Sequence, residues 1–331
     1  MIIIQEYSLA VFFCVLAMIF WGSWQNSRNL ISADWRFELF YWDFISGVLI
    51  ISFLAAITVG SMGSVGQTFW QSASQADWNS IGSAMTGGLL WNIGTLLLVA
   101  GISISGMATA FPVGGGIAWL LGILVNYLGD PKGNPILILS GCICIAAAIV
   151  FCALSYKKLP QNVTNTSFKG IYLAAIAGVL IAFFYRFVAF SLVSDFNNPE
   201  VGKLTPLTGV FFFCLGAFLS TFILNPIVMR KPFQGTPVSI SMYFAAPIKN
   251  HIIGIFGGML WCIGMIFSFM ASNAAGFAIS YAVSNAAPVV AAIWGIFVWK
   301  EFKTAPKSVN ILLASMFLFY LIGLALIVSS K

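Results

Sequence analysis

The sequence predicts an all-α integral membrane protein with ten transmembrane helices arranged as two inverted five-helix repeats. The first observation behind this prediction is composition, since 60% of the 331 residues are hydrophobic and only 7% are charged. Soluble domains carry roughly 25% charged residues, so this chain suits the interior of a lipid bilayer. Its net charge of +6 does not indicate a nucleic-acid partner, because the basic residues lie in the links between apolar segments.

The second observation is a segment that occurs twice. Residues 87–94 read Gly-Gly-Leu-Leu-Trp-Asn-Ile-Gly, and residues 257–264, 170 positions later, read Gly-Gly-Met-Leu-Trp-Cys-Ile-Gly. The same offset pairs Gly106 with Gly276. Both copies lie in apolar stretches, which indicates that one membrane module is used twice. Such duplication is typical of transporters, whose binding sites lie near the interface between the repeats.

The third observation is the number of apolar segments, since a spanning helix needs about 20 mostly apolar residues. We expect helices at residues 7–28, 38–60, 80–102, 105–128, 135–156, 168–192, 205–229, 249–272, 275–299 and 308–329. The polar stretch 157–167 divides the chain into two halves of five helices, residues 1–160 and 161–331. Because five is odd, the second half enters the membrane from the opposite face. Alternating access uses this inverted symmetry directly.

The distribution of Lys and Arg predicts the orientation of the chain. Of the 15 basic residues, 11 lie in links on one side, three lie in links on the other, and Arg186 lies within a span. The side richer in basic residues faces the cytoplasm, so we expect a multi-pass protein of the cell (inner) membrane with both termini on the non-cytoplasmic side. The first apolar segment has no basic region before it and is followed by further spans, so it is a helix rather than a signal peptide.

The first helix ends in a cluster of aromatic and amide side chains that includes Trp24 and Gln25. Polar groups in hydrocarbon are costly and mark functional sites. An indole ring can stack on a polar planar solute while an amide hydrogen-bonds it. The alternative is an aromatic belt at the membrane interface.

Two carboxylates lie at the start of the second helix. Asp43 is about 8–10 Å inside the membrane boundary at 1.5 Å per residue, where it can accept a proton. It is therefore the predicted proton-coupling residue, with Glu38 as the second candidate. A capping or interfacial role is the alternative for Asp43, and an interfacial role is the alternative for Glu38.

Arg186 lies in the sixth helix, about eight residues from its outer end. Its guanidinium can bind a carbonyl or carboxylate of a substrate. In the alternative interpretation, the side chain extends along the helix to the membrane surface and approaches Asp195.

Helix-breaking residues occupy matching places in the fourth and ninth helices. A broken helix in each half points to a binding site, although kinks and close packing explain the same residues. The predicted helix-break positions are Pro112, Gly114, Gly115 and Pro288. Polar and aromatic residues on these helices and on the helices just before them would complete a cavity: Trp91, Asn92, Trp261, Tyr281 and Asn285.

No cluster of residues predicts an enzyme, a metal site or a cofactor. Phosphate-binding loops, metal-ligand spacings and nucleophile–base pairs are missing from the sequence. The single histidine, His251, is expected at the membrane interface. The six cysteines lie in apolar segments, where they are expected to act as small buried hydrophobic residues.

The motifs resemble those of the ureide permease family, within the drug/metabolite transporter superfamily. The resemblance covers nearly the whole chain and is densest over residues 250–325. The matching places are Phe20-Trp21-Gly22-Ser23-Trp24, Asp43-Phe44, Leu224-Asn225-Pro226 through Gly235-Thr236-Pro237, and Ala275-Gly276-Phe277-Ala278 through Leu312-Leu313-Ala314-Ser315-Met316.

The resemblance implies the drug/metabolite transporter fold and cation-coupled, usually proton-coupled, uptake of allantoin, related ureides or uracil. The central loop of this chain, at about eleven residues, is shorter than the family's, and Arg186 stands where a small or hydroxyl residue is expected. We therefore expect symport of a small polar solute with a proton or a sodium ion, by a monomer or homodimer in the bilayer. A sugar porter of the glucose/ribose or rhamnose type, or a small-metabolite exporter, is the first alternative. A membrane-embedded enzyme or a channel-like pore is the second.

Overall fold

A computed structural model describes residues 2–32, 34–63, 66–159 and 167–331 of the chain. Its α-helices in these ranges are α1 Tyr7–Ser23, α2 Phe37–Ile57, α3 Phe69–Gln75, α4 Trp78–Ser105, α5 Met107–Gly129, α6 Pro135–Lys157, α7 Phe168–Ser191, α8 Pro206–Arg230, α9 Ile240–Phe244, α10 Ile248–Ala275, α11 Phe277–Ser284, α12 Pro288–Ile293 and α13 Ser308–Val328. A 3-10 helix, Trp24–Leu30, continues α1, and a π-helical turn, Trp294–Val298, continues α12.

Within the described ranges, ten helical stretches are long and apolar enough to cross a membrane. Their bounds agree with the ten expected segments to within a few residues, so the prediction of an all-α membrane protein is confirmed. A helix is the natural solution in lipid because it satisfies its own backbone hydrogen bonds. The short elements α3 and α9 lie in the links before α4 and α10.

The two proline-containing spans differ from each other. The ninth span is broken between Ser284 and Pro288 into α11 and α12, because a proline has no amide hydrogen to continue the helix. By contrast, α5 runs through Pro112 as one helix. Pro112 is only the sixth residue of α5, so few hydrogen bonds are affected, and the break expected there does not occur.

The repeated segment corresponds to a repeated structure. Helices α4 and α10 are both 28 residues long and begin 170 positions apart, at Trp78 and Ile248. Each ends at a glycine with a left-handed backbone, Gly106 at φ 78° and Gly276 at φ 82°. Glycine adopts this conformation at no steric cost, and it lets the next helix begin one residue later.

The contacts between helices also repeat. Helix α4 packs against α7 and α8, and α10 packs against α1 and α2, while α6 packs against α13. Each contact has a counterpart when every span of the first half is replaced by the corresponding span of the second half, and the reverse. Two similar halves would produce such a pattern. The inversion of the second half stays a prediction, and most of the predicted boundary region, residues 160–166, lies outside the described residues.

Candidate functional site

A cavity of about 250 Å³ lies among α1, α4, α5, α6, α7, α10 and the α11–α12 break. Eight of its lining residues are aromatic. The large rings that line it are Trp21, Trp24, Trp91, Phe111, Trp119, Tyr156, Phe184 and Trp261. Helices from both halves of the chain therefore contribute to one chamber, as expected for a binding site between repeats.

The cavity extends from the middle of the molecule toward one end. We define the basic side as the end that carries Arg28, Lys157 and Arg230. Helix α4 lines the cavity from Trp91 to Ile102, which is the half nearer the basic side. The other helices contribute mainly residues from their middle or basic-side portions. Because the lining lies in the middle and basic-side portions of the helices, we infer that the cavity opens toward the basic side.

The indole rings of the cavity are held in place by hydrogen bonds and by each other. The Trp21 Nε1–H donates to the carbonyl oxygen of Trp261 at 2.9 Å, and the Trp119 Nε1–H donates to that of Ala282 at 3.0 Å. The ring centroids of Trp91 and Trp261, the tryptophans of the repeated segment, are 4.2 Å apart. These rings present rigid apolar faces, which suit a planar solute.

Several polar groups in the cavity have no hydrogen-bond partner among the described residues. They are the Gln25 amide, the Thr95 hydroxyl and the indole N–H groups of Trp24, Trp91 and Trp261. The Asn285 Nδ2–H donates to the Tyr281 carbonyl at 3.0 Å, which leaves its Oδ1 to accept from a solute. No Asp, Glu, Lys, Arg or His is among the described residues that line the cavity. The site therefore suits a neutral polar molecule, because a charge would be buried there without a counterion.

Of the eight residues predicted to bind substrate, five line the cavity: Trp24, Gln25, Trp91, Trp261 and Asn285. Three predicted helix-break residues line it as well: Pro112, Gly115 and Pro288. Sequence reasoning missed Thr95 and Trp119. Thr95 on α4 and Trp119 on α5 each lie within one or two turns of a predicted residue, so the periodicity of those helices was the available signal.

Asn92 and Tyr281 lie outside the cavity lining and are fully buried. The Asn92 amide donates to the Ala217 carbonyl and to the hydroxyls of Ser220 and Thr221, while its Oδ1 accepts from Tyr41 at 2.7 Å. The Tyr281 hydroxyl donates to the Ala118 carbonyl at 2.8 Å. In this conformation both side chains join helices to one another and offer nothing to a solute.

Gly114 and Arg186 also lie outside the cavity lining. Gly114 packs against the Ala174 carbonyl of α7. The Arg186 guanidinium lies against Gly129 at the far end of α5 and has no hydrogen bond or ion pair within the described part of the chain. Asp195, the alternative partner, accepts hydrogen bonds from Asn197 and Asn198 instead. The backbone N–H of Asn197 is the main cause that lowers the pKa of Asp195.

The predicted coupling residue Asp43 is buried outside the cavity, where two donors converge on it. The Tyr243 hydroxyl donates to Asp43 Oδ1 at 2.6 Å, and His251 Nδ1 lies 3.0 Å from Oδ2. His251 was expected only at the membrane interface, and Tyr243 was not expected at all. The second candidate, Glu38, forms an ion pair with Arg36 at 2.6 Å, on the first turn of α2.

The sequence itself decides the family of this protein. The model of the ureide permease family matches residues 40–161 and 148–330, which together span most of the chain. The chain belongs to the ureide permease family. It is therefore a multi-pass membrane transporter and not an enzyme.

Curated relatives agree with this assignment. The chain is 26% identical to Ureide permease 1 of Arabidopsis thaliana, over 100% of this chain and 99% of the relative. It is 24% identical to Ureide permease 2 of the same plant, with the same coverage. A putative sugar uptake protein of Streptococcus pyogenes serotype M1 is 25% identical, over 66% of this chain and 69% of that protein. The fold matches a protein crystal structure with a TM-score of 0.63 at 16% identity, over 96% of this chain and 97% of the other.

Proposed function

We propose that this permease is a proton symporter for a small neutral ureide or nucleobase-like solute, such as allantoin or uracil. The observation that carries the proposal is the uncharged cavity, which is lined by indole rings and by amide, hydroxyl and indole N–H groups that have no partner among the described residues. Oxo-heterocycles offer flat faces for stacking and several carbonyl and N–H groups in one plane. The curated relatives are named ureide permeases, which supports the ureide part of the proposal.

The side chains of the cavity have separate roles in this proposal. Trp24, Trp91 and Trp261 stack against the ring of the solute. Gln25 and Asn285 hydrogen-bond its polar edge, and we add Thr95 to this set because it lines the cavity and its hydroxyl has no partner within the described ranges. A carbonyl of the solute accepts from the indole and amide N–H groups, and its N–H groups donate to the amide oxygens.

Three predicted residues would act in the opposite conformation. Arg186 lies toward the side that is closed here and has no partner among the described residues, so a solute carbonyl can meet it when that side opens. Asn92 and Tyr281 would then exchange some contacts with the protein for contacts with the solute. We retain these roles as proposals that belong to the conformation open on the other side.

Movement of the helices would begin at the proline and glycine positions. The α11–α12 break before Pro288 lines the cavity, as do Pro112 and Gly115 on α5. A broken helix bends at little cost because its hydrogen bonds are already interrupted. Gly114, packed against α7, would let α5 slide on its neighbour. These residues are the proposed hinges of alternating access.

Asp43 is the proposed coupling residue, and Glu38 is the less favoured candidate because Arg36 neutralises it. The test uses purified protein in liposomes with labelled uracil. A proton gradient directed into the vesicle should drive accumulation, and Asp43→Asn should abolish accumulation while sparing exchange. A sodium gradient that drives accumulation when a proton gradient does not would assign the coupling to sodium.

A sugar is the second candidate solute, because aromatic faces with amides also bind sugars and because a sugar uptake protein is among the relatives. Competition separates the two candidates. Excess allantoin should block uptake of labelled uracil, whereas excess glucose should have little effect. The reverse result would assign the cavity to sugars.

We also propose that the basic side faces the cytoplasm of a cell (inner) membrane, with both termini outside. The 11 basic residues on that side against three on the other support this orientation. An epitope tag on either terminus should be accessible to antibody on intact, wall-stripped cells. Accessibility only after permeabilisation would reverse the orientation.

A further inference from the structure

One buried carboxylate on α2 receives hydrogen bonds from two other elements at the basic side. The Asp43 side chain is only 2% exposed, whereas that of His251 on α10 is 16% exposed. Tyr243 reaches the same carboxylate from α9, which lies in the link between α8 and α10. The indole of Trp35 lies against both rings, with centroids 5.5 Å from His251 and 6.2 Å from Tyr243. The carboxylate is thus enclosed by aromatic rings.

We propose that His251 shares the coupling proton with Asp43 and carries it between that carboxylate and the basic side. Tyr243 holds the ionised carboxylate by a hydrogen bond. This inference rests on the proposed proton coupling and adds a second proton-carrying residue to it. His251 is suited to the role because it touches Asp43 and is also the more exposed member of the pair.

The transfer conserves protons at each step. In the first state of the proposed exchange, Asp43 is ionised and accepts one hydrogen bond from the Tyr243 O–H and another from the His251 Nδ1–H. A proton from the aqueous side binds His251 Nε2, and the Nδ1 proton passes to the Asp43 oxygen. The pair then holds one more proton, with neutral His251 accepting at Nδ1. A proton that reaches Asp43 from the opposite side of the membrane, in the other conformation, leaves to the basic side by these steps in reverse, so no other reactant is required.

Tyr243 remains a hydrogen-bond donor throughout this exchange. Burial is the main cause that raises the pKa of Tyr243 well above its ordinary value, and the adjacent Asp43 carboxylate adds to the effect. Its hydroxyl therefore stays protonated. It holds the ionised Asp43, and the contact weakens when that carboxylate becomes neutral.

The other charged groups nearby are already paired or exposed. On the first turn of α2, Arg36 pairs with Glu38 and also donates to the carbonyls of Gln234 and Thr236. The remaining three are Arg28, which lies over the Phe37 and Phe40 rings, Lys249, which is exposed on α10, and Arg230, which is exposed at the end of α8. Within the described residues, His251 and Tyr243 are the titratable groups that contact Asp43.

The pair is connected to the cavity through its own helices. Phe44, the residue after Asp43, has its ring centroid 4.7 Å from that of Trp24, a cavity residue. Helix α10 carries both His251 and the cavity residue Trp261. A change in the contact between α2 and α10 at Asp43 therefore displaces two walls of the cavity.

The matching place in the other half of the chain is apolar. The crossing of α2 with α10 corresponds to that of α8 with α4, where Phe213 takes the place of Phe44. The counterparts of Asp43 and His251 are therefore Phe212 and, 170 positions earlier, Ile81. Only one of the two crossings can take up a proton. The proposed proton site therefore has no matching copy at the crossing of α4 with α8.

The decisive variant is His251→Asn, whose amide can still donate near the position of Nδ1 but cannot carry a proton. In liposomes with labelled uracil, exchange should stay within about threefold of the unmodified protein. Accumulation driven by a proton gradient should fall at least tenfold, and the pH profile of uptake should flatten. The control is Lys249→Gln, an exposed change on the same turn of α10, which should leave both activities unchanged.

Tyr243→Phe is the second variant and removes a single donor. Because that donor favours the ionised Asp43, the midpoint of proton-driven uptake should move to higher pH by about one unit. Normal accumulation by His251→Asn, with an unchanged pH profile, would overturn the proposal. So would the loss of exchange together with accumulation in a protein of normal melting temperature, since His251 would then be structural. If the unmodified protein exchanges uracil but never accumulates it, the proton coupling itself fails, which is a different result.

Discussion

Gly258 of α10 lies directly against the carbonyl oxygen of Phe44 in α2. A β-carbon added to Gly258 would stand 1.9 Å from that oxygen, which is closer than real contacts allow. The first copy of the repeated segment makes the same contact, since a β-carbon on Gly88 would stand 2.0 Å from the carbonyl oxygen of Phe213. The repeated glycines are therefore crossing points where two helix backbones touch, as is common in membrane helix packing.

Replacing Gly258 by Ala should separate α2 from α10. The added methyl meets backbone, which cannot rotate away, so we expect a loss of about 1–3 kcal/mol of stability. Thermal melting in detergent measures the loss, and uptake should fall with it. Gly82→Ala is the matched control, because Gly82 lies on an exposed face of α4 with nothing within 4 Å. Alanine there should be neutral or should stabilise the helix by up to about 1 kcal/mol. Equal melting temperatures for both variants would contradict the close crossing.

Cys152 reports which end of the cavity is open. It lines the cavity near the basic-side end of α6 and is 8% exposed, whereas Cys14, Cys214 and Cys262 are fully buried. Cys142 and Cys144 are partly exposed but lie nearer the other end of α6, outside the cavity lining. A membrane-impermeant thiol reagent added at the basic side should modify Cys152 and inhibit uptake, and a bound solute should slow the modification.

The same reagent added on the other side should act more slowly, because the far end of the cavity is closed. Cys152→Ala should transport normally and resist the reagent from both sides. Equal inhibition from either side, or undiminished sensitivity in the variant, would rule out the cavity as the site of reaction.

A variant of Asn92 tests whether this side chain binds the solute, as the sequence suggested, or holds helices together. Its amide joins α2, α4 and α8 through Tyr41, Ala217 and Thr221. Asn92→Ala leaves the buried Tyr41 hydroxyl without an acceptor, which should cost about 1–3 kcal/mol of stability. Adding Tyr41→Phe should recover part of that loss, because no orphaned hydroxyl remains. A higher KM with unchanged stability would place Asn92 against the solute instead.

The sequence could predict features that are encoded locally. Ten apolar stretches define ten helices, and the two copies of the Gly-Gly segment define matching crossings. Asn92 shows the limit of local reasoning, because neighbouring residues on a helix point about 100° apart. Trp91 therefore faces the cavity, while Asn92 faces α8. Because Trp91 and Asn92 are adjacent in the sequence, both were expected to line the same binding site.

The partners of Asp43 could not be predicted for a different reason. Tyr243 and His251 lie 200 and 208 positions away. His251 meets the carboxylate because glycines bring α2 and α10 into contact, and Tyr243 reaches it from the link before α10. A periodic pattern gives the face of a helix but not the height at which two helices cross. A buried carboxylate that takes up a proton needs a hydrogen-bonding partner. The single histidine, His251, was the signal in the sequence that could have identified that partner.

The free amides of the cavity should determine the affinity for the solute. Gln25→Ala and Asn285→Ala each remove a hydrogen bond to a neutral ligand, worth about 0.5–1.5 kcal/mol. The KM for uracil should therefore rise about two- to tenfold, with little change in melting temperature, because neither side chain bridges separate helices. Asn310→Ala, an exposed amide on α13, is the matched control and should leave the KM unchanged. The opposite outcome would be that both cavity variants take up uracil normally, and that glucose inhibits this uptake in the unmodified protein but not in the variants. The amides would then bind a sugar, and the solute proposed for the cavity would be wrong.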